Sequence, residues 1–591
     1  MTDDQDYLLN STHRAYMPKL NALLGDRGLH LPNFLVSSSL CCPSRVSLLT
    51  GRFTHNHNLT SNQAPQGGFR RFTQLRLDRD WLPGWLQALG YRTMLTGKFM
   101  NLFDVAPGDT ARCPRGWDLF DPLTDATVYQ YVNFDFMPQC QRLDRFRGAY
   151  QTDVLADRAA AYISAAAKGG APFYLQVNPA ACHTSCDKGS EEAGPCRPPV
   201  PSPKYAGRWS GLRVPRLPNW NVSLPPALGA RPGTFTARSV DGHYQRRIEA
   251  LMSVDDLVET VVNALERAGV LGSTYVIFTS DNGYHLGNHA QAKGKTLPYE
   301  EDVRVPFFMR GPGVPYGVVH PYMATMVDVT ATLVALAGGA PPTRCDGVPL
   351  PLDRFAAAAG GTGSSGNGTA VGRAAGTGPA AAAGPPAAVE QRPPSPTQAT
   401  PALPQYYPSA NGTLRQMVPL EMWIRSWDKD FDRKDYRSIR LCANDSAAPG
   451  GGGAPAAAER CWKYTVWCVS TKSPNFRELY DINADPGEIN NLMDQADPGG
   501  SAGAERRRLV SRLDALLQVM GYCKGEGCRT PWARLHPGGD VTSFEQAMAP
   551  QHDAQYRAYS AFAWRACQPY YDPVNNEFGD RGLGALTRWN S

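Results

Sequence analysis

The sequence predicts an α/β protein: a large, mostly parallel sheet sandwiched by helices, with a smaller C-terminal antiparallel-sheet subdomain. Three observations predict it. Residues Tyr244 to Ala268 place Ile248, Leu251, Met252, Val258, Val261, Val262 and Leu265 near one face at helical spacing. The run TYVIFTS follows at once, short and apolar until its end, as a buried parallel strand reads. After Leu414, the stretches LEMWIRSW and CWKYTVWCVS are rich in β-branched and aromatic residues and bounded by turn formers, as antiparallel strands are.

Taken in order, the elements of the first region end in polar clusters. The chain opens on Thr2-Asp3-Asp4-Gln5-Asp6, which reads as the end of a strand whose body has been cut away. YRTMLT runs into Gly97-Lys98, PFYLQVN into a loop holding His183, and TYVIFTS into Asp281-Asn282-Gly283. Ligands of open parallel sheets bind beyond the carboxyl ends of the strands, so these clusters are expected to converge. Asp3, Asp4, Asp281 and Asn282 form an all-oxygen set, which suits Ca²⁺ or Mg²⁺ rather than zinc. An Asp-Asp pair alone reads as an exposed turn; its companions give it weight. Asp255 and Asp256, inside the long helix, read as solvent-facing residues. A zinc site at Cys182, His183 and Cys186 lacks a second pair at ligand spacing.

Four segments are expected. Residues 1–352 form the main α/β domain that carries the polar clusters, 353–413 an insertion, 414–520 the C-terminal subdomain and 521–591 a cysteine-containing tail. The insertion is compositional: from Ala356 to Pro404, Ala, Gly and Pro fill 32 of 49 residues and no aromatic appears. Such a stretch cannot offset its ordering entropy by burial. A shorter relative spans Ala447 to Ala458.

Composition excludes other classes. Lys plus Arg number 59 against 54 Asp plus Glu, too even for a protein whose main partner is nucleic acid. The run Arg506-Arg507-Arg508 reads as a solvated helix face. Met323 to Ala340 is interrupted by Asp328 and threonines and falls short of the roughly 20 clean residues of a membrane span. The start, MTDDQDYLLN, has neither the basic nor the apolar region of an export signal. Yet there are 14 cysteines, with close neighbours at Cys182 and Cys186, Cys461 and Cys468, and Cys523 and Cys528. Sequons fall at Asn10, Asn58, Asn221, Asn367, Asn411 and Asn444. Both point to an oxidising, glycosylating compartment. The two readings are reconciled if the sequence begins too late and lacks its export signal.

The most specific motif is Cys41-Cys42-Pro43-Ser44-Arg45-Val46-Ser47-Leu48-Leu49-Thr50-Gly51-Arg52. Composition alone allows about 0.1 chance matches to its C-x-P-x-R core, and the extension through Arg52 removes chance. Together with GYRTMLTGKFMN, CPRGWDLF, FTSDNGYHLGNH, GKTLPYEEDVRVPFFMRGPGV and ELYDINADPGEINNL, it resembles the sulfatases of the alkaline-phosphatase-like superfamily. The resemblance covers nearly the whole chain. It looks most like secreted arylsulfatases of green algae and fungi, with glucosamine-6-sulfatases as cousins.

The resemblance implies a sulfuric ester hydrolase. Cys41 would be converted to formylglycine by a formylglycine-generating enzyme during export. Hydrated, that aldehyde carries two hydroxyls: one attacks sulfur, and the other expels sulfate by re-forming the carbonyl. A bound Ca²⁺ (or Mg²⁺) would take Asp3, Asp4, Asp281, Asn282 and the modified Cys41 as ligands. Arg45 would hold the hydrated aldehyde, Lys98 and Lys295 would clamp sulfate oxygens, and His183 would protonate the leaving alcohol. Many relatives carry a histidine two places after the lysine matching Lys98; here that place is Met100, leaving His55, His57 or His285 to serve. With Cys41 modified and Cys42 in the pocket wall, the other twelve cysteines could form six pairs. The substrate would be a sulfated small molecule or polysaccharide, N-acetylglucosamine-6-sulfate included. The compartment would be secreted or extracellular, periplasmic or cell wall. The alternatives are a phosphodiesterase or phosphonate hydrolase, and an impaired, glycan-binding relative.

Overall fold

The computed structural model describes residues 1–186, 196–228, 235–360, 415–423, 435–444, 459–469, 475–559, 561–564 and 567. The strands used below from residues 1–352 are β1 (Leu29–His30), β2 (Arg92–Gly97), β3 (Leu119–Pro122), β4 (Phe173–Asn178), β5 (Val276–Thr279), β6 (Phe307–Arg310) and β7 (Val318–Val319). Toward the C-terminus follow β8 (Met417–Met422), β9 (Asp435–Asn444), β10 (Glu459–Cys468) and β11 (Asn475–Asp481). The helices used below are α1 (Cys41–Thr50), α2 (Gln151–Gly169), α3 (Ala237–Arg267), α4 (Met326–Leu336) and α5 (Gly500–Met520).

The catalytic sheet comes in two pieces. One is parallel, in the order β3-β2-β4, with Thr96 of β2 opposite Asp121 and Val177. The other runs β7-β1-β6-β5; β1 and β7 are parallel, while β6 runs against both of its neighbours. Met1 and Thr2 join the pieces. The Met1 amino group donates to Val177 O at 2.9 Å, Thr2 N donates to Thr279 O at 2.9 Å, and Thr2 pairs in parallel with Ser280. Below this rung lies a cleft of about 920 Å³ lined by Leu175, Val177, Val258, Val261, Ile277 and Leu333 among others. The rung puts Asp3 and Asp4 at the carboxyl ends of β4 and β5.

Helix α3 starts at Ala237, ahead of the expected Tyr244, because Thr236 caps it. The Thr236 hydroxyl accepts from Ser239 N at 3.1 Å and Thr236 N donates to Ser239 Oγ at 3.2 Å, a reciprocal cap. Its inner face, Val240, Tyr244, Ile248, Leu251, Val258, Val262 and Leu265, is buried. Asp255, expected to face solvent, is buried instead. Its carboxylate accepts from the backbone N–H of Lys19 at 3.0 Å and of Leu20 at 2.7 Å, so it caps a turn of the preceding segment. Asp256 is partly exposed and pairs with Lys19 and Lys204.

The strands β8-β9-β10-β11 form the antiparallel sheet in that order. Of LEMWIRSW, residues 424–427 lie outside the described residues. This sheet does not stand apart: Val418, Leu420, Tyr436 and Trp467 share one core with Phe34, Val305, Phe307 and Met326 of the catalytic region. Its other face packs on Leu513, Leu516 and Leu517 of α5. Buried pairs also cross the junction, Arg440 to Glu300 at 3.0 Å and Lys463 to Glu300 at 2.8 Å. Arg507 and Arg508 pair with Asp497 and Asp553. The insertion expected over 353–413 lies outside the described residues from 361 onward, and its first residues belong to the helix Leu352–Gly360. The 447–458 stretch also lies outside them.

The six expected cysteine pairs become five: Cys113–Cys140, Cys186–Cys196, Cys442–Cys461, Cys468–Cys567 and Cys523–Cys528. Cys41, Cys42, Cys182 and Cys345 are buried thiols. Cys186 takes Cys196 rather than its sequence neighbour Cys182, whose sulfur is turned inward toward Asp4 O.

Candidate active site

The site sits where α1 meets the carboxyl ends of the central strands. Leu40 is extended and α1 begins at Cys41, so the residue stands at the positive end of the helix dipole. The helix is buried over its whole length and stops at Gly51, whose φ of 65° suits glycine; a Cβ there would lie 2.7 Å from Cys345 Sγ. Cys41, Arg45, Lys98, His183, Lys295, Asp3, Asp4, Asp281 and Asn282 are all brought to this point, and all are buried.

Cys41 Sγ is the hub. It donates to Asp3 Oδ1 at 3.5 Å and accepts from Lys295 Nζ at 3.1 Å. Lys295 also reaches Asp4 Oδ1. Lys98 donates to Asp3 Oδ2 and, at 2.9 Å, to the Tyr129 hydroxyl. Arg45 donates through Nε to Asp281 Oδ2 at 2.8 Å and through Nη1 to Lys98 O at 2.9 Å. Asp281 Oδ1 accepts from Asp4 N at 3.0 Å, and Asn282 Nδ2 donates to Asp4 Oδ1 at 2.8 Å. Donor atoms of Asp3, Asp4, Cys41 and His183 lie within 4.8 Å of one another.

His183 has a fixed orientation. Its Nδ1 lies 2.9 Å from Thr184 O, and a carbonyl can only accept, so Nδ1 carries the proton in that bond. Nε2 then faces Asp4 Oδ2 at 3.6 Å. The ring stacks on Tyr129 with centroids 3.9 Å apart.

Three carboxylates (Asp3, Asp4, Asp281) meet three basic side chains (Arg45, Lys98, Lys295), a balance that buried charges require. Burial opposes ionisation of Asp3, yet Lys98, His183 and Arg45 outweigh it and hold the carboxyl at about 2. Burial also opposes ionisation of Asp4, which Lys295 and His183 hold below its ordinary value. The Cys41 thiol goes the other way: burial pushes it well above its ordinary value despite Lys295 and Lys98. As an unmodified thiol it is therefore a poor nucleophile at neutral pH.

The donor set fits a hard cation. Asp4 Oδ2 and Asn282 Oδ1 are buried without a hydrogen-bond partner, and both are acceptors that a metal ion would satisfy. The Asp281 oxygens each accept one hydrogen bond and keep a further lone pair.

The three histidines left open by Met100 separate. His55 Nδ1 lies against Glu421 and its Nε2 against Cys523 O; burial lowers it to about 4. His57 Nε2 lies 3.1 Å from Ser47 Oγ and is lowered by burial to about 3. His285 pairs with Asp302 at 2.8 Å and is hydrogen-bonded through its backbone to Gly294, beside Lys295.

Sequence reasoning missed Tyr129, Asn101 and Arg247. Asn101 Nδ2 donates to Tyr129 OH at 2.8 Å, so one phenol steadies Lys98, Asn101 and His183. Arg247, from α3, reaches Asp4 O and donates to Asp6 Oδ1 at 3.0 Å, fixing the acidic turn from behind. Only its i+4 spacing from His243, on the face toward the site, could have marked it.

The family model described as Sulfatase matches residues 1–340. An arylsulfatase of Volvox carteri is 32% identical over 609 residues, covering 98% of this chain and 82% of that protein. The chain belongs to the sulfatase family. It is a sulfuric ester hydrolase, and its parallel strands and separate antiparallel sheet are the architecture of this family. The N-acetylglucosamine-6-sulfatase of Capra hircus is 25% identical over 542 residues, covering 90% of this sulfatase and 84% of the relative. A solved structure of a protein in complex with its substrate D-glucosamine-2-N,6-O-disulfate has the same fold. It superposes with a TM-score of 0.60 at 18% identity, covering 88% of this sulfatase and 95% of that chain.

Proposed function

We propose that this sulfatase cleaves sulfate esters through residue 41, after conversion of Cys41 to formylglycine, with a divalent cation held by Asp3, Asp4, Asp281, Asn282 and residue 41. One observation carries the reading. The Cys41 side chain points into a cluster of carboxylates and lysines in which two buried oxygens, Asp4 Oδ2 and Asn282 Oδ1, have no hydrogen-bond partner. The oxygen donors favour Ca²⁺, with Mg²⁺ as substitute. When bound, the cation supplies charge neutralisation for sulfate oxygens and acidifies the attacking hydroxyl. The modified residue supplies that hydroxyl together with a second one that releases the product.

The chain's own groups do the rest. Lys98 and Lys295 flank residue 41 and hold the sulfate oxygens as charge spreads over them. Arg45, pinned on Asp281 and the Lys98 carbonyl, orients residue 41 from the helix side. His183, with its Nδ1 proton tied to Thr184 O, presents Nε2 to the leaving alcohol and gives it a proton. Of the histidines that could stand in for the one absent at Met100, His285 is favoured by its link to the Lys295 loop.

The arylsulfatase relatives support an aryl or simple sulfate ester as substrate. The N-acetylglucosamine-6-sulfatase relative and the structure holding a disulfated glucosamine support a sulfated sugar as the second reading. Five disulfides and the exposed sequons at Asn10 and Asn221 support an oxidising, secretory route and maturation by a formylglycine-generating enzyme. No helix among the described residues is long and apolar enough to cross a membrane. The test is turnover of an aryl sulfate and of N-acetylglucosamine-6-sulfate by protein coexpressed with the modifying enzyme, before and after chelation. Activity lost to chelator and restored by Ca²⁺ or Mg²⁺ is expected. Chelator-insensitive turnover overturns the metal-assisted reading.

A further inference from the structure

Two histidines and a carboxylate converge in the C-terminal region, far in sequence from the catalytic motifs. His536 follows the short helix Trp532–Leu535, and Asp540 lies in the loop that succeeds it. His552 closes the turn Pro550–His552, directly ahead of the helix Asp553–Ala558. His536 Nδ1 lies 3.6 Å from Asp540 Oδ1, and His552 Nδ1 lies 4.0 Å from Asp540 Oδ2. The imidazole rings meet edge-on with centroids 4.9 Å apart. The three donor groups fall within 4.8 Å of one another.

These separations are too long for hydrogen bonds and right for ligands around an ion. Bonds of about 2.0–2.2 Å to a tetrahedral zinc set neighbouring donors about 3.3 Å apart. The two imidazoles are largely buried, with side-chain exposures of 2% and 10%, whereas the Asp540 side chain is 58% exposed and free to close the remaining gap. The outer shell suits the task. His536 Nε2 lies 2.9 Å from the Tyr556 hydroxyl. A proton on Nε2, donated to that oxygen, leaves the Nδ1 lone pair facing Asp540. The Gln551 side-chain amide lies 3.3 Å from His552 Nε2; a half-turn of the amide presents its oxygen to an Nε2 proton and frees Nδ1 in the same way. Among the described residues, the other candidate grouping outside the active site, His55 with Cys523 and Cys528, has its two sulfurs joined in a disulfide.

We propose that His536, Asp540 and His552 form a second metal site, one that takes a borderline divalent cation such as Zn²⁺, with solvent in the fourth position. Two nitrogens and one carboxylate select Zn²⁺ or Co²⁺ over Ca²⁺, so the site differs in chemistry from the all-oxygen donors at Asp3 and Asp4. Its role is structural. The ion ties the segment after Leu535 to the turn that starts Asp553–Ala558, and Asp553 is itself paired with Arg508 and Arg512 of α5. The clip thus fastens the C-terminal region onto the helix that backs the antiparallel sheet.

The test uses the full chain, stripped with chelator and reloaded with excess Ca²⁺ so that the hard-cation site is filled. Co²⁺ is titrated and followed by its visible absorption, Zn²⁺ is titrated by calorimetry, and melting is recorded with and without Zn²⁺. One equivalent of each ion per chain, the strong visible band of a low-coordinate Co²⁺ site and a melting point raised by several degrees are expected. His552→Ala should abolish all three. Should that variant fail to fold, Asp540→Asn, at an exposed position, should weaken Co²⁺ binding at least tenfold while melting normally in Ca²⁺ alone. No saturable uptake by the parent protein, or uptake unchanged in either variant, overturns the proposal.

Discussion

Replacing Lys98 with Met tests the electrostatics of the site without touching residue 41. Lys98 and Asp3 are fully buried and bonded to each other, and Tyr129 is the other Lys98 side-chain partner. The carboxyl of Asp3 is held at about 2 against an ordinary 3.8. At about 1.4 kcal/mol per pKa unit, that shift corresponds to roughly 2–3 kcal/mol of stability, shared among Lys98, His183 and Arg45. It is present above pH 4 and is lost as pH falls toward 2. Removing Lys98 also strands a buried charge, so the total loss at pH 7 should be about 3–5 kcal/mol. In the variant the Asp3 carboxyl loses its nearest cation against the same burial, so its pKa rises, and the penalty grows as pH rises and the group ionises. The deficit should therefore be large at pH 7 and shrink toward pH 4. Denaturant unfolding of both proteins in chelator, at pH 7 and at pH 4.5, measures it. An equal deficit at the two values would refute the assignment of Lys98 as the counter-charge of Asp3.

Two further predictions concern individual groups. His183→Gln should lower kcat about 10²–10³-fold on a sugar sulfate but far less on an aryl sulfate, whose phenolate leaves without a proton; equal losses on both substrates would remove His183 from the acid role. Gly51→Ala should destabilise the protein by about 1–3 kcal/mol, because its Cβ enters a left-handed backbone position against Cys345 Sγ; an unchanged melting curve would show that the end of α1 relaxes freely.

Much of the site was legible because its residues sit at element ends, where short motifs report position. Asp3, Asp4, Lys98, His183, Asp281 and Asn282 follow strands or the opening rung, and Cys41 starts a helix. Tyr129 was not legible: it lies between β3 and α2 in a stretch without long regular elements, where no periodicity marks a residue as inward. Arg247 was hidden for the opposite reason, as one charge among many on a long amphipathic helix. Asp255 looked exposed because its partners, two backbone N–H groups, come from residues far away in sequence. The disulfide pairing, left open by the sequence, was hidden likewise: Cys523 and Cys528 pair as close neighbours, but Cys468 reaches Cys567 across 99 residues and Cys182 stays apart from Cys186. The antiparallel course of β6 also left no mark, because a buried strand reads the same in either direction.

The central claim is the chemistry of residue 41, and the mass of the peptide that contains it tests that claim most directly. In protein coexpressed with a formylglycine-generating enzyme, thiol-to-aldehyde conversion predicts a peptide about 18 Da lighter than its cysteine form. That species should grow in proportion to arylsulfatase activity across preparations. An active preparation in which residue 41 is wholly unmodified cysteine, or is joined in a disulfide, would contradict the account.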